Sequence, residues 1–252
     1  MTRERLYSTR AIILKHRDQG EADRVLTVMT PGLGKRTLLA KGVRRPASRK
    51  AGHLEPFTHV QLLIARGRSW DLVTQAETVY AFRELRENLE RTAYAFYLVE
   101  LVDAFAQEED EQPDIFDLLL QGLHLLEGTG RPALLARWFE LALLRLSGYQ
   151  PALFHCVECG EPLQPVTNYL AVARGGVLCP RHGEGQPETE ALDVGALKVL
   201  RYLQTQPAEV ALRLDLAPAR LRQIERLLAT YIRFVLERRL RAPAFIRLLN
   251  HV

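Results

Sequence analysis

The chain has 252 residues, 47% of them hydrophobic, which is enough for two small domains with separate cores. Its opening stretch, MTRERLYSTR, is charged, and no uncharged run approaches the ~18 residues of a membrane span, so we expect an unexported, cytoplasmic protein. The net charge of +4 hides an asymmetry: residues 1–80 hold 15 basic and 7 acidic side chains, whereas residues 81–155 hold 6 and 13. The basic first part predicts a polyanionic ligand.

The first 80 residues have the pattern of five short strands, rich in β-branched and aromatic residues and separated by Gly or Pro. The predicted strands are residues 9–16, 23–30, 35–43, 57–66 and 69–80, with a hairpin-type turn at residues 31–34. Five strands in this length fit a small closed barrel such as the OB-fold, which commonly binds oligonucleotides. An SH3-like barrel fits the same strand count.

Beyond Phe82 the apolar spacing becomes helical. The predicted helices are residues 84–107, 113–126, 132–148, 193–205 and 217–241. The predicted fold class is therefore multidomain α+β: an N-terminal five-stranded OB-fold β-barrel at 1–80, followed by an α-helical domain at 81–252. The aromatic residues of the first helix are expected to lie in its core.

All three cysteines lie in one short motif of the helical part. The motif is Cys156-x2-Cys159 followed by Cys179-x2-His182, a spacing close to the four-ligand pattern of zinc ribbons. It predicts one structural zinc ion in an inserted module at about residues 154–185. Four protein ligands leave no position for a catalytic water. A redox Cys-x2-Cys pair without metal, or ordinary buried cysteines, is the alternative, and His155 competes with His182 as fourth ligand.

Basic side chains concentrate in and around one segment of the predicted barrel, residues 41–50. The candidate nucleic-acid-binding residues are Lys35, Arg36, Lys41, Arg44, Arg45, Arg49, Lys50, Arg66, Arg68 and Trp70. Such a cationic rim attracts phosphates, and binding should weaken steeply with salt. The aromatic residues available for base stacking are Tyr7, Phe57, Trp70 and Tyr80, of which Phe57 and Tyr80 are equally suited to the core. The arginines of the last long helix are interpreted as mainly a solvated face, with a secondary contact to nucleic acid or protein as the alternative.

The sequence contains none of the catalytic motifs that we considered. GLGKRT at residues 32–37 lacks both the preceding Gly and the following Ser or Thr of a phosphate-binding P-loop. No hydrolase or metalloprotease motif occurs. We therefore predict a protein that is not an enzyme.

Several short motifs, in order along nearly the whole chain, carry a resemblance to a known family. They are GEAD at 20–23, TPGLGK at 30–35, AKGVRR at 40–45, Ser48, Pro56-Phe57, Cys156-x2-Cys159-Gly160 and Gly175-Gly176-x2-Cys179. With these motifs the chain resembles the RecO family of bacterial recombination mediators. His182 stands where many members of that family would carry Cys.

The resemblance implies an OB domain, a helical domain with a zinc module, and a role in DNA repair and recombination. It also implies binding of single- and double-stranded DNA, annealing of complementary strands, and a partner called RecR. With RecR, such proteins help load a recombinase onto DNA coated by single-strand-binding protein, which predicts association with the nucleoid. The competing hypotheses are an RNA- or ribosome-associated OB protein with a zinc ribbon, and a scaffold that binds no nucleic acid.

Overall fold

The computed structural model describes residues 5–249 and divides the chain into two compact units. The first unit contains the chain up to Thr129 and the C-terminal segment from Arg241. The second unit is Gly130–Leu240. The sequence-based domain boundary near residue 80 stays a prediction.

Five strands form a closed barrel in the order β1-β2-β3-β5-β4. Their bounds are β1 Leu6–Gln19, β2 Asp23–Thr30, β3 Gly34–Ala40, β4 His59–Ala65 and β5 Asp71–Tyr80. Neighbouring strands are antiparallel, except that β3 and β5 pair in parallel at Leu38–Asp71 and Leu39–Leu72. The predicted OB-type barrel is thereby confirmed.

Alternating side chains of all five strands fill the barrel. The buried set is Ala11, Ile13, Leu26, Val28, Leu38, Ala40, Val60, Leu62, Ile64 and Val73, with Val43 and Leu54 from the β3–β4 connection. Because a strand's side chains alternate between faces, this pattern fixes the register of each strand.

Four of the five strands differ in their bounds from the sequence-based expectation. β3 ends at Ala40 rather than at residue 43, and β5 begins at Asp71 rather than at residue 69. The bounds of β1 and β4 differ for identifiable reasons. β1 is longer than residues 9–16, because it pairs with β4 over Leu6–Ile12 and with β2 over Ile12–Gln19. β4 begins at His59 rather than at residue 57, because Phe57 adopts a left-handed φ of 50° that no regular strand contains.

Helices complete the first unit. They are α1 Arg83–Glu87, α2 Leu89–Phe105, α3 Pro113–Gly128 and, from the C-terminal segment, α9 Ala242–Leu249. The prediction of one continuous helix over residues 84–107 is wrong. The backbone of Asn88 is extended, and its side chain caps α2 by accepting a hydrogen bond from the Arg91 N–H at 3.0 Å.

The second unit combines helices with one small sheet. Its elements are α4 Pro132–Leu146, β6 Asn168–Ala171, β7 Gly176–Leu178, α5 Pro180–Gly183, β8 Glu190–Leu192, α6 Val194–Thr205, α7 Ala208–Ala211 and α8 Pro218–Leu236. The three strands pair in the order β7-β6-β8. The helix predicted over residues 217–241 ends early, because Glu237 takes a left-handed φ of 53°.

Candidate nucleic-acid interface and metal centre

Three sulfurs and one imidazole converge beside the small sheet of the second unit. The ligand atoms of Cys156, Cys159, Cys179 and His182 all lie within 4.8 Å of one another. His182 Nδ1 is 3.3 Å from Cys179 Sγ and 3.7 Å from Cys156 Sγ. Tetrahedral coordination with metal–sulfur bonds of about 2.3 Å separates ligand atoms by roughly 3.7 Å. The cluster can therefore hold one metal ion.

Two turns deliver the four ligands. Gly160, with φ 73°, closes the first by donating its N–H to the Cys156 carbonyl at 2.9 Å. Cys179 follows β7 directly and precedes the short helix α5, whose turn brings His182 back beside it. The side chain of His155 is exposed and does not belong to the cluster, so the geometry favours His182 over His155 as the fourth ligand.

The electrostatics of the cluster suit a cation. Loss of solvation opposes ionisation of Cys156, but N–H groups of Cys159, Cys179 and Glu158, together with His182, lower the pKa of its thiol to about 6. The amide of Glu161 favours the Cys159 thiolate. Loss of solvation and the neighbouring sulfurs nevertheless raise the pKa of Cys159 above its ordinary value. Several thiolates in one place repel one another unless a cation joins them.

The cationic segment 41–50 is pinned to the barrel by two of its own basic residues. Lys50 Nζ donates to the carbonyls of Val73 at 2.9 Å and Lys41 at 3.3 Å, and loss of solvation lowers its pKa. The backbone N–H of Arg44 donates to the Ala22 carbonyl at 2.9 Å, and its guanidinium lies 3.4 Å from Asp18. Lys50 and Arg44 therefore hold the segment in place.

Three other cations of this segment face solvent. Lys41, Arg45 and Arg49 are exposed, and among residues 5–249 no carboxylate is within 4.0 Å of their charged groups. Positive charge without a partner on a pinned segment is what a phosphate-binding surface requires.

A second group of candidates lies toward the other end of β3. The parallel pairing of Leu38 with Asp71 puts the β4–β5 connection, residues 66–70, level with the start of β3 rather than with residues 41–50. Arg66 and Arg68 are exposed there, and Trp70 is 37% exposed. The predicted cations thus form two groups toward opposite ends of β3, rather than one continuous rim.

Asp71 organises this second group, a role that the sequence did not reveal. It accepts hydrogen bonds from Tyr7 Oη at 2.7 Å and the Gly67 N–H at 3.1 Å, and Arg36 lies 3.4 Å away. Loss of solvation and this bond raise the pKa of Tyr7 to about 12. Loss of solvation opposes ionisation of Asp71, yet the bonds from Tyr7 and Gly67 and the charge of Arg36 lower its pKa. The guanidinium of Arg66 stacks 5.0 Å from the Tyr7 ring.

Lys35 and Arg36 are less accessible than expected from the sequence. Lys35 Nζ donates to the Asp103 carbonyl at 2.7 Å, and Arg36 bonds to Glu109 Oε1 at 2.9 Å. Both acids come from the α2–α3 region, far along the chain. Of the aromatic residues considered for stacking, Phe57 is buried, whereas Tyr80 and Trp70 are exposed.

Comparison with known proteins now decides the family. The family models "Recombination protein O N terminal" and "Recombination protein O C terminal" match residues 1–82 and 86–244. The chain is 42% identical to a DNA repair protein RecO of Roseiflexus sp. (strain RS-1), over 97% of this chain and 86% of the relative. It is 40% identical to that of Dehalococcoides mccartyi (strain ATCC BAA-2266 / KCTC 15142 / 195), over 94% of each. The chain belongs to the RecO family.

RecO membership confirms the resemblance drawn from the short motifs. The protein is a recombination mediator of DNA repair and acts without catalysing a reaction. A third relative, the DNA repair protein RecO of Desulforamulus reducens (strain ATCC BAA-1160 / DSM 100696 / MI-1), is 34% identical over 96% of this chain and 94% of its own. These relatives are DNA repair proteins, so the RNA- or ribosome-associated alternative is set aside. None of the helices within residues 5–249 has the length and apolar composition needed to span a bilayer.

Proposed function

We propose that this RecO protein binds single- and double-stranded DNA through the exposed cations of its barrel and anneals complementary strands. With RecR as partner, it helps load a recombinase onto DNA coated by single-strand-binding protein, acting at the nucleoid in the cytoplasm. The observation that carries the proposal is the segment 41–50, where Lys41, Arg45 and Arg49 are exposed while Lys50 and Arg44 hold the backbone.

The proposed mechanism is electrostatic. Two strands that anneal bring their phosphates together, and fixed cations between them offset that repulsion. Phosphate contacts carry no base information, so the protein should anneal any complementary pair with little sequence preference. The exposed Trp70 beside Arg66 and Arg68 offers one stacking surface for unpaired bases.

Annealing of two complementary oligonucleotides tests this function directly. We expect the triple variant Lys41→Glu, Arg45→Glu, Arg49→Glu to anneal them at least about tenfold more slowly than wild type, because three phosphate contacts become repulsions. The measurement is the rate at which a fluorophore on one strand is quenched by its complement. Lys50 and Arg44 stay unchanged, so that the segment keeps its anchors.

A second triple variant controls for overall charge. Arg213→Glu, Arg222→Glu, Arg233→Glu reverses three exposed arginines of the second unit, with the same change in net charge. It should anneal at close to the wild-type rate. Equal slowing in both variants would mean that net charge, rather than the exposed cations of the barrel, drives annealing.

We further propose that the metal is zinc and that its role is structural. Three sulfurs and one imidazole form a donor set that zinc prefers, and four protein ligands complete a tetrahedral shell. In this proposal Cys156, Cys159, Cys179 and His182 hold the ion. It would join the turn after Cys156 to the turn after β7, and it would take no part in binding DNA.

A further inference from the structure

An acidic connection lies against the barrel beside the cations of β3. The connection between α2 and α3 contains four consecutive acids, Glu108 to Glu111, and residues 107–112 are here termed the acidic segment. Its backbone joins the sheet, because the Glu109 N–H donates to the Lys35 carbonyl at 3.1 Å and Glu108 forms a parallel bridge with Lys35. Since β5 pairs with β3 only at Leu38 and Leu39, the acidic segment occupies the edge of β3 that precedes β5.

Side chains of the acidic segment also contact β3. Glu109 Oε1 accepts from Arg36 Nη1 at 2.9 Å, and Glu108 Oε1 lies 3.5 Å from the Thr37 hydroxyl. Asp103, at the end of α2, contacts both Lys15 and Lys35. Carboxylates of the chain itself therefore lie against the cations of this strand.

The backbone on both sides accommodates this contact. Gly34 has φ 63°, and a Cβ there would lie 1.8 Å from the Asp110 carbonyl oxygen, so only glycine lets the segment approach. Glu109 takes a left-handed φ of 63°, which costs energy for a side chain with a Cβ. Surrounding contacts must compensate for that conformation.

The ion pair between Glu109 and Arg36 is weak enough for a polyanion to displace it. The Glu109 side chain is 74% exposed and that of Arg36 is 21% exposed. Exposed ion pairs contribute little, because water and salt screen them. A polyanion that brings several phosphates at once can replace one such carboxylate.

We infer that the acidic segment is an autoinhibitory strap, which single-stranded DNA must displace to reach Arg36. The inference rests on the proposed binding of DNA by the barrel. It means that the exposed cations of segment 41–50 make first contact and that the Arg36 end of β3 is added when the strap leaves. The strap thereby weakens binding to short or sparse anions more than binding to long strands.

Neutralising the strap tests the inference. The variant Glu108→Gln, Glu109→Gln is compared with Glu87→Gln, Glu90→Gln, which removes two exposed acids of the same unit without touching β3. We expect the strap variant to bind a fluorescent oligothymidylate about three- to tenfold more tightly than wild type, and the control less than about twofold. The slope of log affinity against log salt should steepen by about 0.7, for one added phosphate contact.

A third variant assigns the gain to one residue. With Arg36→Gln in place, neutralising Glu108 and Glu109 should give no further tightening, provided that thermal melting shows the barrel folded. Hydrogen exchange supplies an independent readout, since the Glu109 amide should exchange faster once the oligonucleotide is bound.

The outcomes separate the strap from the proposed function. Wild type that binds DNA while the strap variant matches the Glu87/Glu90 control would overturn the strap and leave DNA binding intact. Unchanged protection of the Glu109 amide in the complex would overturn it as well. If wild type and every variant fail to bind at low salt, the proposed function fails together with the inference.

Discussion

Individual side chains of the barrel have roles that their charge alone does not disclose. Of the ten residues predicted to contact nucleic acid, Lys50 and Arg44 anchor a segment, whereas Lys41, Arg45 and Arg49 face solvent. Composition identified the cationic cluster. The hydrogen-bond acceptors of Lys50 and Arg44 could not be predicted, because the carbonyls of Val73 and Ala22 come close to the segment only in the folded barrel.

Asp71 is a partly buried carboxylate that joins Tyr7, Gly67 and Arg36, and its replacement should change stability in a definite direction. We expect Asp71→Asn to lower the free energy of unfolding by about 1–2 kcal/mol at neutral pH, because charge-assisted bonds from Tyr7 and Arg36 are lost. Folding lowers the pKa of Asp71, so its contribution is present above the unfolded-state pKa and disappears as the pH falls through the folded-state pKa. Urea unfolding as a function of pH measures both effects.

The Asp71 prediction has an internal check. The stability difference between wild type and Asp71→Asn should narrow as the pH falls from neutral through the acidic range. A difference that stays constant down to low pH would show that the ionised carboxylate contributes nothing. The pKa of Tyr7 should also fall from about 12 toward its ordinary value of 10.0 in the variant.

The cluster of three cysteines and His182 was almost fully predictable at the residue scale. Spacing alone identified Cys156, Cys159 and Cys179, since two ligands three positions apart fit one tight turn. The choice between His155 and His182 needed the path of the chain after β7. Spacing cannot show which neighbouring imidazole points inward.

A histidine pair tests the metal site with a matched control. We expect His182→Ala to lower zinc affinity at least about tenfold, because one of four ligands is lost, while His155→Ala keeps the wild-type affinity. The measurement is competition with a chromogenic chelator, together with the zinc content of the purified protein. Equal loss in both variants, or protein that never contains zinc, would contradict the assignment.

At the scale of elements, periodicity identified the barrel strands and most helices, and failed where a cap interrupts an apolar pattern. Apolar residues continue at helical spacing from α1 into α2, so the sequence predicted one helix. Asn88 carries the available signal, since asparagine is favoured at helix N-caps. The three short strands of the small sheet were missed as strands, because three or four residues hold too little periodicity.

The Asn88 cap should make a measurable contribution to the free energy of unfolding. We expect Asn88→Ala to destabilise the protein by about 1 kcal/mol, because the Arg91 N–H loses its acceptor, and Asn88→Asp to stay within a few tenths of wild type. Equilibrium urea unfolding measures the difference. If alanine proves as stable as asparagine, the break between α1 and α2 has another cause.

Among the elements, the proposed strap has the most direct consequence for function. Its acids lie more than seventy residues from Arg36 along the chain, and a run of acids alone looks like an ordinary solvated loop. Only the pairing of Glu108 and Glu109 with the open edge of β3 distinguishes the proposed strap from a solvated loop. Part of the charge asymmetry along the sequence therefore corresponds to an ion pair within the first unit, between Arg36 of the basic part and Glu109 of the acidic part.

At the scale of the whole molecule, the chain separates two tasks. The first unit holds the barrel and its cations, and the second holds the candidate metal ligands and most of the later helices. The order of short motifs predicted the family across nearly the full length. The compact units could not be predicted in this way, because α9 returns from the end of the chain to α2, where Glu100 accepts from the N–H groups of Arg241 and Ala242.

We propose above all that DNA phosphates bind the exposed cations of segment 41–50. Binding of a fluorescent single-stranded oligonucleotide across a salt series tests it most directly, with wild type, the Lys41/Arg45/Arg49 reversal and the Arg213/Arg222/Arg233 reversal. We predict that the slope of log affinity against log salt shrinks by about 2 in the first variant, for three lost phosphate contacts, and stays at the wild-type value in the second. An unchanged slope in the first variant, or no binding by wild type at low salt, would contradict it.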